Sequence, residues 1–252
     1  MTSIVSFHSF RRGTGRTTLI ASLAVLLARA GHRVGVIDTD VESPSCQVLF
    51  GVEEADVRYY LNDYMHGKCT IEAATMDITD RAGPSVSGSI LLVPANPSPV
   101  VVMQVLRESM DMDRLRDGFT RLSSEKELNV LLVDTHAGLH EHSMAAMATA
   151  TRAIFMIRID RQDYQGTAVM MAVAHSLGVE EEATGLVVNM MPPNADRVAI
   201  SMDSIENFDA KLMGLLPYSE RLQALASREV FAQKYPEHPV THAIEGIAAQ
   251  LV

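Results

Sequence analysis

The sequence predicts an α/β fold, a mostly parallel sheet covered by helices on both faces, and three observations carry that expectation. Short β-branched runs alternate with longer helical patterns along the chain. None of the runs alternates apolar with polar residues, as expected of strands buried on both faces. With 252 residues and 47% hydrophobic content the chain can bury a sizeable core. No repeat, low-complexity tract or Pro/Gly/Ser-rich linker divides it, so one domain over 1–252 is expected.

In chain order the predicted strands are "SIVSF", "RVGVID", "SILLVPA", "NVLLVD", "AIFMIRI", "ATGLVVN" and "KLMGLLP". Helical patterns fall at 17–30, 100–109, 143–150, 164–177, 197–208, 220–226 and 241–251. The stretch after the second strand, within 51–82, reads as an insertion of short helices, and the sequence assigns it no role. Among the 15 methionines, those in apolar runs such as Met156 and Met213 are expected to fill gaps in the core. The C-terminal "THAIEGIAAQLV" has a helical apolar stripe but no lysine or arginine, so packing against the sheet is expected rather than binding to an anionic bilayer.

Composition excludes several classes. The 31 acidic residues exceed the 21 basic ones, a net charge of −10, so a broad surface for nonspecific DNA or a membrane is not expected. Two cysteines, Cys46 and Cys69, without a CxxC pair argue against a disulfide framework, a zinc knuckle or a cysteine-ligated cluster within one chain. No apolar run approaches the roughly 18 residues of a membrane span, and no leader pattern opens the chain, so a cytoplasmic protein is expected.

The chemistry lies in "SFRRGTGRTT", between the first strand and the first helix. It has the skeleton of a loop in which glycine-freed N–H groups surround phosphates at a helix N-terminus while a hydroxyl ligates Mg²⁺. Gly13 and Gly15 supply the freedom and Thr17 the hydroxyl, but Arg16 stands where such loops carry lysine. Downstream, "VGVIDTD" puts Asp38 and Asp40 at one strand end, and "NVLLVDTHAG" puts Asp134 at another. In an open α/β sheet such ends converge on the crevice that the loop faces. The histidines of "HAGLHEH" fit no closed zinc pattern and are expected to be solvated or partner-facing. "GPSVSG" does not have the spacing of a nucleophile elbow.

With these residues in place, the chain resembles the MinD/ParA group of P-loop ATPases over nearly its whole length. The group's loop reads about K-G-G-x-G-K-T-T, against Arg11, Arg12, Gly13, Thr14, Gly15, Arg16, Thr17 and Thr18 here. The resemblance implies a single-domain P-loop NTPase fold binding ATP/ADP and Mg²⁺. It implies that Asp38 holds the magnesium hydration shell, that Asp40 positions the attacking water, and that Asp134 is the second-shell magnesium partner. Asn189, Pro217 and Tyr218 fall where the group contacts adenine, and Arg11 stands where its signature lysine reaches across a dimer. Some MinD-like sequences read "HSFRGGTGK" and "DYQGTAV"; the second occurs here at 163–169.

Arg12 for glycine and Arg16 for lysine are the departures. A forked guanidinium is not equivalent to a compact ammonium in a tight cradle. Charge and phosphate attraction are retained, while a misplaced donor typically costs about 10²–10³ in rate. The resemblance therefore implies a slow ATPase switch, a homodimer in the ATP state engaging a protein partner in positioning, partitioning or assembly. The alternative is a nucleotide-gated scaffold with negligible hydrolysis.

Overall fold

Apolar runs that do not alternate become strands of one sheet, and among the described residues the computed structural model has eight strands, seven of them from such runs. They are β1 (Ser3–His8), β2 (Arg33–Asp38), β3 (Met76–Asp77), β4 (Ser89–Val93), β5 (Val130–Asp134), β6 (Arg152–Arg158), β7 (Thr184–Met191) and β8 (Lys211–Pro217). The structure describes residues 2–84, 86–105, 107, 111–208 and 210–252, the side chains of 203–207 excepted. The strands form one sheet in the order β3-β4-β2-β5-β1-β6-β7-β8, parallel except for β3, which pairs antiparallel with β4. The helices are α1 (Arg16–Arg29), α2 (Cys46–Leu49), α3 (Leu61–Met65), α4 (Pro99–Val105), α5 (Met112–Glu125), α6 (Glu141–Thr149), α7 (Arg161–Ser176), α8 (Arg197–Asn207), α9 (Glu220–Leu225), α10 (Phe231–Lys234) and α11 (Pro239–Ala248).

The period-2 geometry of each strand divides its apolar side chains between two cores. Val5, Phe7, Val130, Leu132, Ile154 and Met156 join α1 and α11 on one face. Ile4, Leu131 and Val133 pack with α5 on the other, continued by Phe155 and Ile157 against α7. Met156 and Met213 are buried, as gap-filling requires. The C-terminal helix α11 seals β8 and α1 with Val240, Ile244 and Ile247. Among the described residues no helix is long and apolar enough to cross a membrane.

Strand β3 and helices α2, α5 and α10 lie where the sequence reading expects no element. The edge strand β3 is two residues long and carries no apolar pattern to announce it. Helix α5, capped by the Asp111 carboxylate accepting from the Arg114 N–H, lies where no helix was expected. Its buried Leu115, Phe119 and Leu122 have helical spacing, but charges and Gly118 interrupt the stripe. The 51–82 segment contains the short α3 and one-turn 3₁₀ helices at Glu54–Asp56 and Thr79–Ala82. The helix expected at 100–109 is α4, and the expectation at 106, 108 and 109 lies outside the described residues.

The strand order places the site. From central β1 the chain crosses by α1 to β2 on one side of β5, and from β5 it crosses by α6 to β6 on the other side of β1. Connections that diverge from neighbouring strands leave a crevice at their C-terminal ends.

Candidate functional site

Between β1 and α1 the chain turns through two residues in the left-handed region, Gly13 at φ 77° and Gly15 at φ 93°. Gly15 is the N-cap of α1 and makes no side-chain cap, so the first-turn N–H groups are left toward the crevice. A cleft of about 250 Å³ opens there, between loop 13–18 and Ser45, Val48 and Ser227. Glycine at 15 is required twice over. Besides the positive φ, a Cβ there would lie 2.5 Å from Asn189 Nδ2, the amide that donates to the Thr14 carbonyl at 2.6 Å.

Sheet register brings the carboxylates together, since Asp38 of β2 lies directly opposite Asp134 of β5. Thr17 Oγ1, in the first turn of α1, donates to Asp134 Oδ2 at 2.6 Å. Asp38 is held by backbone: its Oδ1 accepts from Asp40 N at 3.0 Å and its Oδ2 from Ser45 N at 2.9 Å and Cys46 N at 3.0 Å. Burial, reinforced by the Asp134 carboxylate, raises the Asp38 pKa to about 8 against the opposing backbone N–H bonds. Burial also raises Asp134, opposed by Arg16 and Thr17. One donor atom each from Asp38, Cys46 and Asp134 lies within 4.8 Å of the others, and Asp134 Oδ1 is buried without a hydrogen-bond donor among the described residues. The carboxylate oxygens of Asp38 and Asp134 with the Thr17 hydroxyl, beside an amide cradle and with the Cys46 thiol kept protonated by burial, fit a magnesium ion shared with phosphate.

The three loop arginines all turn to acidic groups of their own chain. Arg11 donates to Gln162 Oε1 at 2.9 Å and to Asp160 Oδ1 at 3.2 Å, with Asp163 at 3.6 Å, so it is fastened to the start of α7. Arg12, largely exposed, pairs with Glu42 at 3.4 Å and reaches His136 Nε2 at 3.0 Å. Arg16 is 8% exposed. Its Nη1 donates to Ser9 Oγ at 2.5 Å, while Nε lies 3.6 Å from Asp134 Oδ1 and Nη2 lies 3.9 Å from Asp40 Oδ2.

His136 corrects the expectation of solvated histidines: His140 is exposed and His142 half-buried, but His136 is buried against the carboxylates. Its Nδ1 lies 2.8 Å from Asp40 Oδ1. Because Arg12 can only donate, His136 Nε2 accepts from it, which leaves the ring proton on Nδ1 to be given to Asp40. No spacing rule announces this contact; the signal was only that both residues follow neighbouring strands. Ser9, Ser45 and Cys46 were likewise missed, since small residues in loops carry no pattern.

Beyond Gly15 and Thr18 the crevice continues as an apolar slot walled by Asn189, Pro217, Tyr218, Leu222 and Ile244. Asn189 is oriented by Met190 N donating to its Oδ1 at 2.7 Å, and Tyr218 OH donates to Gln223 at 2.7 Å. At the other rim Phe10 lies on α7, where a Cβ at Gly166 would fall 2.1 Å from the ring's Cγ. The structure thus brings loop 11–18, Asp38, Asp40, Asp134, Asn189, Pro217 and Tyr218 to one crevice, with Arg11 drawn to its edge by α7.

A family model described as the CobQ/CobB/MinD/ParA nucleotide binding domain matches residues 5–230. An uncharacterised ATP-binding protein of Methanocaldococcus jannaschii is 26% identical over 254 aligned residues, covering 100% of this chain and 88% of its own length. Among solved structures, the septum site-determining protein MinD of Pyrococcus horikoshii, complexed with Mg-ADP, superposes with a TM-score of 0.81 at 23% identity, over 100% of this chain and 96% of its own. A chain of the MinC:MinD cell division protein complex of Aquifex aeolicus superposes with a TM-score of 0.83 at 19% identity, over 99% and 95%. Likeness at these identities bears on the fold.

Proposed function

We propose, from the premise that this chain belongs to the CobQ/CobB/MinD/ParA nucleotide-binding family, that residues 1–252 form one cytoplasmic domain working as a slow ATPase switch. It binds Mg·ATP, dimerises around it and engages a protein partner in positioning, partitioning or assembly. One observation carries the reading: the glycine-shaped amide loop, the Thr17–Asp134 contact of 2.6 Å and the slot beside Asn189 surround a single crevice. In it, loop 11–18 holds the phosphates, and Asn189, Pro217 and Tyr218 hold adenine. Thr17, Asp38 and Asp134 hold magnesium, which when bound offsets the charge of the phosphate oxygens. Asp40, oriented by His136, positions the attacking water.

The Mg-ADP carried by the Pyrococcus MinD supports the choice of ligand. The MinC:MinD complex supports a protein partner. The net charge of −10 speaks against nonspecific DNA or an anionic membrane. Turnover is expected well below the enzyme median of ~10 s⁻¹. A second reading, a nucleotide-gated scaffold, is favoured by the Arg16 guanidinium facing Asp134 and Asp40.

Because a ligand that binds only the native state adds stability by mass action, ATP or ADP with Mg²⁺ at about 100 times Kd should raise the melting point by about 5–10 °C. Gly15→Val, which meets Asn189 and a positive φ, should abolish the rise. No rise with either nucleotide in the wild type would remove the reading.

A further inference from the structure

A guanidinium offers five N–H donors and keeps its charge when buried, so an arginine taken out of water normally has its fork filled. Arg16 does not. It is 8% exposed, Nη1 has Ser9, and its Nε is buried with no hydrogen-bond acceptor among the described residues. The facing atom, Asp134 Oδ1, equally lacks a donor, and the two lie 3.6 Å apart. That separation is an ion pair without a hydrogen bond. Across the fork, Asp40 Oδ2 lies 3.9 Å from Nη2. The guanidinium therefore sits among the carboxylates as a charge, fastened at one corner by a neutral hydroxyl. Ser9 is completely buried, and its own proton goes to the Arg11 carbonyl at 2.8 Å, so its lone pair is directed to Arg16. Thr17 Oγ1 meanwhile spends its proton on Asp134 Oδ2.

We propose that Arg16, anchored by the positioning residue Ser9, serves in the nucleotide-free protein as an internal counter-ion between Asp134 and Asp40, supplying at Asp134 the positive charge that a divalent cation would otherwise bring. The inference rests on the nucleotide-site reading. Metal and nucleotide then enter together: phosphate oxygens draw the guanidinium away, and only its departure frees Asp134 for the metal. A protein built this way binds little free divalent cation, because the guanidinium already offsets part of the carboxylate charge and repels a second cation.

The test is Mn²⁺ binding without nucleotide, read as loss of the free-ion electron paramagnetic resonance signal, in wild type, Arg16→Met and Ser9→Ala. Removing a unit charge about 4 Å from two carboxylates should tighten Mn²⁺ binding by about 10-fold or more in Arg16→Met. Loosening only the anchor should tighten it by about threefold in Ser9→Ala, whose charge is unchanged. A gain below about threefold in Arg16→Met overturns the proposal. So does a gain in Arg16→Met with none in Ser9→Ala, since charge acting at a distance needs no anchor. If Arg16→Met does not fold, Ser9→Ala decides alone. A parallel titration with ATP separates the two readings: if ATP recruits no Mn²⁺ to the wild type, the nucleotide reading fails, while the nucleotide-free comparison still decides this one.

Discussion

The two halves of the crevice are built differently. On the side of the apolar slot, backbone and amide geometry dominate: Gly15 at positive φ, Asn189 locked to the Thr14 carbonyl at 2.6 Å, and apolar walls. On the carboxylate side charge pairs are added to the backbone and hydroxyl bonds that hold the aspartates, with Arg11 on Asp160, Arg12 on Glu42, and Arg16 beside Asp134 and Asp40. The first half is set by backbone and amide geometry, and its apolar slot of about 40 Å³ must widen before it can take a heterocyclic base. The second is held by counter-ions of its own chain, each of which a polyanion can replace. On the proposed reading, recognition belongs to one half and switching to the other.

The sharpest way to break that division is Arg11→Ala. If the α7-bound guanidinium is the group that changes partners and crosses to a second subunit, ATP-dependent dimerisation should disappear entirely, as read by sedimentation, with ATP binding to the monomer retained. A dimer that persists would put the switching contact elsewhere. Next in size is Arg16→Lys, which exchanges the fork for an ammonium that can bridge phosphate oxygens. Single-turnover hydrolysis should rise about 10-fold or more while ATP affinity changes less than about threefold. Lowered turnover would mean a loop adapted to arginine, and no hydrolysis by either form would favour the scaffold.

The smallest effect concerns Asp38 in the metal- and nucleotide-free protein. Its carboxyl is raised from 3.8 to about 8, by burial first and by Asp134 second. The folded state thus holds this proton more tightly than the unfolded chain. The contribution to stability is complete below about 3.8, declines as pH rises, and is gone above about 8. The melting point should fall by about 3 °C or more between pH 5 and pH 8. Asp38→Asn should flatten that slope, whatever its effect on the absolute value. An unchanged slope would show that other groups dominate the titration of this half.

The backbone-built half was the more legible in sequence. Seven of the eight strands announce themselves as unbroken apolar runs; β3 does not, because two half-exposed residues have no period to read. Glycines 13 and 15 mark a turn that no other residue takes easily, and aspartates after strands converge by topology, so Asp38 and Asp134 could be placed before any distance was known. Side-chain direction could not. Arg16 at the first position of α1 could run forward over the loop or beneath it, and only Ser9 and the carboxylates decide. The Asp40–His136 contact depends in the same way on how two loops fold together.

The Phe10 ring resting on α7 has an evolutionary consequence. A methyl group at position 166 would fall within 2.0 Å of the ring, so glycine there and a bulky residue at 10 form a matched pair of protrusion and notch. Enlarging the notch residue expels the ring and disturbs the turn it opens; shrinking the ring leaves a hollow against a helix. A larger residue at 166 therefore has to displace the ring, which is 41% exposed, and relatives with such a residue are expected to carry a different side chain at 10.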